Sequence, residues 1–270
     1  MTVRYQIDHD LHIHTHISLC SRDPEQTPER ILQYGTEKGL RHLCITDHFW
    51  DETVPSVYDG LSYARLAENL PLPKADGVAF HFGCEADMDL VPTIGIRRET
   101  AEKFDFIIVP TTHMHFVGVT IRKEEATDKK ARARRYVERW EALLRADLPF
   151  YKMGIAHLTW CGLAGAGAAP WPDHIDILDS IPDDTFLRLF SQTEKNGMGV
   201  ELNVDLQRYQ PDELERILRV YRLAVECGCH FYFGSDAHHP QDLNRGYDRF
   251  GTLVDLLQLE EEQKFQPFRE

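Results

Sequence analysis

Short apolar, β-like runs alternate along this chain with longer stretches in which apolar residues recur every three to four positions. That alternation is the pattern of parallel strands joined by crossover helices. Seven strands are expected: 5–14 (YQIDHDLHIH), HLCIT before Asp47 and His48, 78–85 (VAFHFGCE), 104–110 (FDFIIVP), YKMGIAH ending at His157, 199–204 (GVELNV), and HFYFGSD ending at Asp236. In the first, Tyr5, Ile7, Leu11 and Ile13 share one parity and His12 and His14 the other, so period two aims both histidines at one side. A helix should run from Thr27, an N-cap, through Pro28 to a stop at Gly39. Further helices are expected over about 124–146, 183–196 and 211–226, the last with Leu214, Ile217, Leu218, Tyr221 and Ala224 on one stripe. Segment 159–182, rich in Gly, Ala and Pro, reads as a long loop over one mouth of the assembly.

A chain of 270 residues with 42% hydrophobic content suits one large α/β barrel spanning residues 1–270. No run approaches the roughly 18 apolar residues of a membrane span, and the start lacks the apolar core of about 7–15 residues that marks a signal peptide. A soluble cytoplasmic protein is therefore expected. The six cysteines (20, 44, 84, 161, 227 and 229) form no CxxC pair and read as reduced, mostly buried thiols. A net charge of −14 supplies no broad basic surface, which argues against a nucleic-acid partner. The run Lys129, Lys130, Arg132, Arg134 and Arg135 lies among glutamates in a helical segment, the pattern of a solvated helix face.

Composition says little about chemistry, but position says more. His12, His14, His48, Glu85, His113, His157, Asp236 and His238 all fall at or just past the C-terminal end of an expected strand, the functional face of an α/β barrel. Imidazole and carboxylate without thiolate is the ligand set of catalytic zinc, manganese or iron. Eight such residues exceed the needs of one tetrahedral ion, so two or three divalent ions sharing a bridging carboxylate are expected. Two-metal sites of this kind suit phosphoester hydrolysis by a metal-activated hydroxide.

The motifs Asp10-Leu-His12-Ile-His14-Thr, Thr46-Asp47-His48, Gly83-Cys-Glu85, His113, Ala156-His157, Glu201-Leu-Asn203 and Gly234-Ser-Asp236-Ala-His238 resemble the successive motifs of the PHP (polymerase and histidinol phosphatase) family. The resemblance spans about residues 8–240 and implies a distorted, TIM-like (β/α)7 barrel. It implies that His12, His14, Glu85 and Asp236 hold one ion, with Glu85 bridging to a second held by His113 and His157. His48 and His238 would hold a third, and Glu85, Asp236 and His238 are the catalytic candidates. Many three-metal members carry a further histidine where this chain has Cys20, which leaves Cys20, Asp23 and His16 as possible substitutes. TTHMH offers His113 and, as the alternative, His115; the remaining histidines (9, 42, 81, 174, 230 and 239) are not needed as ligands.

Ligating histidines commonly donate their second N–H to a carboxylate or amide, and Asp10, Asp47 and Asn203 are candidates for that role. Arg22, Arg122, Arg208 and Arg245 are candidate phosphate donors. Trp50, Trp160 and Trp171 could line the pocket or pack beneath its loops. The expected function is a phosphatase of a small phosphomonoester, resembling the histidinol phosphatases. Phosphodiesterase or amidohydrolase-type chemistry on the same site is the alternative, although amidohydrolases usually bridge their metals with a lysine. A degenerate, metal-stabilised binding or regulatory domain is the alternative without catalysis.

Overall fold

The computed structural model describes residues 3–58, 60–165 and 172–268, without the side chains of Cys161 and of residues 245–249. Trp171 and the side chain of Arg245 thus lie outside the described residues. The strands are β1 (His9–Ile13), β2 (His42–Ile45), β3 (His48–Phe49), β4 (Ala79–Ala86), β5 (Phe106–Val109), β6 (Met153–Ile155), β7 (Gly199–Leu202) and β8 (His230–Phe233). All pair in parallel, in the order β1-β2-β4-β5-β6-β7-β8. β2 and β3 are two halves of one stave, since both pair with β4 on either side of Thr46 and Asp47. Seven staves result, as expected. A bridge from Ile13 to Ala237 brings the first and last together and nearly closes the barrel.

The helices are α1 (Pro28–Lys38), α2 (Tyr63–Leu66), α3 (Arg98–Ala101), α4 (Lys129–Leu144), α5 (His174–Asp179), α6 (Asp183–Asn196), α7 (Pro211–Glu226) and α8 (Pro240–Leu257). α1 begins and ends where local chemistry dictates. The Thr27 hydroxyl accepts from the Arg30 amide, Pro28 occupies the first turn, and Gly39 takes the left-handed conformation at φ 67°. In α7, Ile217, Leu218, Tyr221 and Ala224 are buried. Segment 159–182 is not loop throughout, because Asp173 caps the Ile175 amide and starts α5. No helix among the described residues is long and apolar enough to cross a membrane.

Two apolar layers hold the barrel. Leu11, Cys44, Phe106, Ile108, Ala156 and Tyr232 fill its interior, where the Phe106 and Tyr232 rings meet edge to face at 5.2 Å. Ile13, Ile45, Ile107, Val109 and Val200 face outward to the helices. Leu11 and Ile13 therefore lie on opposite faces, against the single parity expected of them. The cause is a β-bulge: Asp10 pairs with Leu43 but Ile13 with Ile45, so three steps in β1 oppose two in β2. The extra residue lets Leu11 and His12 both face the interior.

The basic run of α4 also departs from expectation. Lys129, Lys130 and Arg134 are exposed as expected, but Arg132 is fully buried and Arg135 nearly so, and Arg139, further along the helix, is fully buried as well. Arg132 donates to the carbonyls of Ala126, at 2.6 Å, and Leu163, and Arg135 pairs with Glu125 at 2.7 Å. Arg139 donates to the carbonyls of Met88, Asp89, Pro110 and Thr111, at 2.8–3.2 Å. A solvated face needs no partners; Arg132 and Arg139 instead satisfy carbonyls of loops at the barrel mouth. Of the cysteines, Cys44, Cys84 and Cys229 are buried, Cys227 is partly so, and Cys20 is exposed.

Candidate metal centre

The barrel brings all eight expected residues to the C-terminal mouth of the strands. His12 is in β1 and His14 just beyond it; His48 is in β3 and Glu85 in β4; His113, His157, Asp236 and His238 follow β5, β6 and β8. His12 Nε2 and His14 Nε2 lie 3.2 Å apart and 3.3 and 3.2 Å from Asp236 Oδ1. Glu85 Oε2 lies 3.4 Å from His14 Nε2 and 3.8 Å from His12 Nε2. Four ligands at about 2.0–2.1 Å from a tetrahedral ion would stand roughly 3.3–3.4 Å from one another, so this quartet fits a metal. The other Glu85 oxygen, Oε1, lies 3.2 Å from His157 Nε2 and 3.8 Å from His113 Nε2. Among the described residues, the buried Glu85 Oε2 and Asp236 Oδ1 accept no hydrogen bond. Oxygens left so at such cost fit a cation.

The imidazoles are turned by groups that pattern reading passed over. Glu201 accepts from His12 Nδ1 at 2.6 Å and from the His157 amide at 2.6 Å. Asp87, fully buried two residues beyond Glu85, takes His48 Nδ1 on one oxygen at 2.9 Å and His113 Nδ1 on the other at 3.2 Å. Tyr58 donates to Asp87 at 2.5 Å. Ser18 accepts from His14 Nδ1 at 3.1 Å and donates to Asp47 at 2.7 Å. His238 Nδ1 donates to the Asp236 carbonyl at 2.7 Å. With Nδ1 engaged, each of these rings presents Nε2 as its free donor atom. Asp47 stands 3.9 Å from His14 Nδ1 and is joined to it by hydrogen bonds through Ser18. Asp10 instead accepts from the Ser235 amide and Tyr34, and Asn203 bonds no imidazole among the described residues. Period two from Glu85 was the available signal for Asp87, and the Glu201 motif for Glu201.

Local backbone geometry serves the same end. Asp236 and His157 are held at φ 53° and 54°, a region costly for residues other than glycine. The Asp236 amide is tied to the His12 carbonyl at 2.8 Å and the His157 amide to Glu201. Gly234 admits this packing, because a β-carbon there would meet the Glu201 carboxylate and His12.

Burial alone would push Glu85 and Asp236 up, yet the surrounding imidazoles, His48 and His113 for Glu85 and His238 and His157 for Asp236, hold both well below the ordinary carboxylate range. Burial likewise disfavours the charged imidazoles, but Glu201 and Asp236 raise His12 to about 9, and Asp236 raises His238 to about 10. His115 goes the other way: burial and the neighbouring His113 lower it to about 3. Its ring packs on Phe116 and Trp160, and it joins none of the candidate ligand groups.

The other expected residues scatter. His16 is exposed, and Asp23 is paired with His239 at 3.1 Å. Cys20 stands with His14 and His48, their ligand atoms all within 4.8 Å of one another. Trp50 is buried, donating to the Val54 carbonyl, whereas Trp160 packs on His113 and His157. Arg22 and Arg122 are both exposed; Arg208, paired with Asp205 at 2.9 Å, lines a cleft with Trp160, Asn203, Tyr209, Asp236 and His238. This cleft has a volume of about 490 Å³. A larger one, about 820 Å³, lies at the opposite end of the barrel, away from the cluster.

A family model described as PHP domain matches residues 10–205. The chain belongs to the PHP domain family. The matched segment contains every member of the cluster except Asp236 and His238, which the fold returns to it by closing β8 against β1. A histidinol phosphate phosphatase from Lactococcus lactis subsp. lactis Il1403, solved with zinc, L-histidinol and phosphate, superposes with a TM-score of 0.62 at 16% identity, covering 96% of this chain and 98% of that one. A candidate histidinol phosphatase from Listeria monocytogenes superposes with a TM-score of 0.58 at 17% identity, covering 89% of this chain and 98% of that one. At these identities the likeness is one of fold. A search of curated protein sequences returned no match.

Proposed function

We propose that this PHP-domain chain is a metal-dependent phosphatase of a small phosphomonoester. The observation that carries the reading is Glu85, whose two oxygens face two separate sets of ligand atoms. On this reading His12, His14, Asp236 and Glu85 hold one ion, and His113 and His157 with the other Glu85 oxygen hold a second. His48 and His238 serve a third. When bound, such ions polarise phosphoryl oxygens and bring the pKa of water toward about 7.

The chain's own residues provide position. Asp87 and Glu201 set the imidazole planes, and Asp236 and His238 form the part of the centre that borders the cleft, where the phosphoryl group meets it. The cleft is within the range of roughly 300–1,000 Å³ typical of small-molecule sites. Asn203 Nδ2, buried and without an acceptor among the described residues, is a donor for the substrate there. The Lactococcus lactis neighbour was solved with zinc, L-histidinol and phosphate, which makes L-histidinol phosphate the first substrate to try.

Elemental analysis of protein purified without chelator should find at least two ions per chain. Assays with zinc, manganese and iron should show turnover of phosphomonoesters above phosphodiesters and amides. Fewer than two ions together with no phosphoesterase activity under any metal would refute the reading, and preference for a diester or an amide would move it to another hydrolase class.

A further inference from the structure

The outer edge of the centre contains a sulfur. Cys20 lies with His14 and His48 in one group of potential ligand atoms, and His48 and His238 both come within hydrogen-bond reach of its thiol. The three side chains come from distant parts of the chain: the loop after β1, β3, and the loop after β8. His48 Nδ1 is taken by Asp87 and His238 Nδ1 by the Asp236 carbonyl, which leaves Nε2 as the nitrogen each ring can offer to an ion. Glu85 Oε2, buried and accepting no hydrogen bond among the described residues, lies 3.1 Å from His48 Nδ1 at the inner edge of this group. Neither Asp23 nor His16 joins a candidate ligand group among the described residues, and Asp23 is engaged by His239.

We propose that Cys20 is the thiolate ligand of the outer ion, together with His48 and His238, so that the centre combines nitrogen and oxygen positions with one sulfur position. The proposal rests on the metal-centre reading above and deepens it. A soft thiolate selects zinc, cadmium or cobalt over manganese, which prefers oxygen. Loading this position forms a metal–sulfur bond and releases the thiol proton to solvent. The metal content of this protein should then split by softness: manganese fills the inner positions and leaves Cys20 as a free, exposed thiol, whereas zinc covers it.

The full chain, stripped of metal and reloaded with cobalt(II), tests this. Native protein should show a near-ultraviolet sulfur-to-cobalt charge-transfer band, lost in Cys20→Ser along with one bound ion per chain. Cys20→His should recover the ion without the band. In mass spectrometry after brief iodoacetamide treatment, zinc should slow alkylation of Cys20 at least about tenfold, and manganese should not. Native protein that binds two or more cobalt ions without the band would overturn the sulfur assignment while leaving the metal centre intact. Persistence of the band in Cys20→Ser would also overturn it. Absence of bound cobalt in every variant would sink the metal-centre reading, and this proposal with it.

Discussion

His42 and His81 at one end of the barrel differ in character from His12 and His238 at the other. At the floor, in the N-terminal parts of β2 and β4, His42 and His81 stack on each other and on Phe268. Burial lowers both, His81 to about 4 with help from His42, as expected when an imidazole is desolvated without a carboxylate strong enough to compensate. At the mouth, His12 and His238 are at least as enclosed, yet both are raised. The difference is the company of Glu201, Asp236 and Glu85 around His12 and of Asp236 and Cys20 around His238. The same field that keeps protons on these rings draws a divalent cation, and the two compete, so metal affinity should rise with pH. The floor is built for packing and the mouth for charge.

If that contrast is right, removing charge at the mouth should have the largest effect. Asp236→Asn should lower kcat/KM by about 10³-fold or more, equivalent to several kcal/mol of charge stabilisation, with the circular dichroism spectrum retained. Full activity in this variant would mean that the chemistry lies elsewhere. Asp87→Asn should weaken zinc affinity by roughly 10–100-fold in a competition titration, because His48 and His113 lose their common acceptor; unchanged affinity would show that the rings need no such support.

The floor should respond in stability alone. Phe268→Ala should cost about 1–2 kcal/mol in urea denaturation, less than the roughly 3–5 kcal/mol of a fully buried phenylalanine, since Phe268 is only partly buried. Its kcat should stay at the native value, and a catalytic defect would show that the two ends are coupled. The smallest effect concerns pH. Because His81 is lowered from 6.5 to about 4, the folded chain binds fewer protons than the unfolded one between those values. Its contribution therefore destabilises progressively as pH falls through that window and vanishes above it. His81→Leu should lose less stability than native protein between pH values of about 7.5 and 5; equal losses would remove His81 as the source.

Much of the mouth was legible in the sequence, because strand ends at the C-terminal side of a βα repeat all point to one place. His12, Glu85, His157 and Asp236 could be grouped without coordinates for that reason. The seven staves and the bounds of α1, α6 and α7 follow from periodicity and capping residues, whose causes are local. What pattern could not supply was long-range or broke the period. The bulge in β1 overturned the parity of Leu11 and Ile13, since pairing with β2 decides which face a residue takes. Arg132 looked like a solvent-facing charge, but the backbone carbonyl of Leu163, distant in sequence, gave it a partner. Asp87 and Glu201 became supports of the imidazoles only when β4 and β7 were set into the barrel beside the other staves. The sequence by itself determined the residue types of the centre and the order in which they arrive. Tertiary structure alone decided which nitrogen each ring offers and that Cys20 stands beside His48, because both depend on partners brought together by closing the barrel.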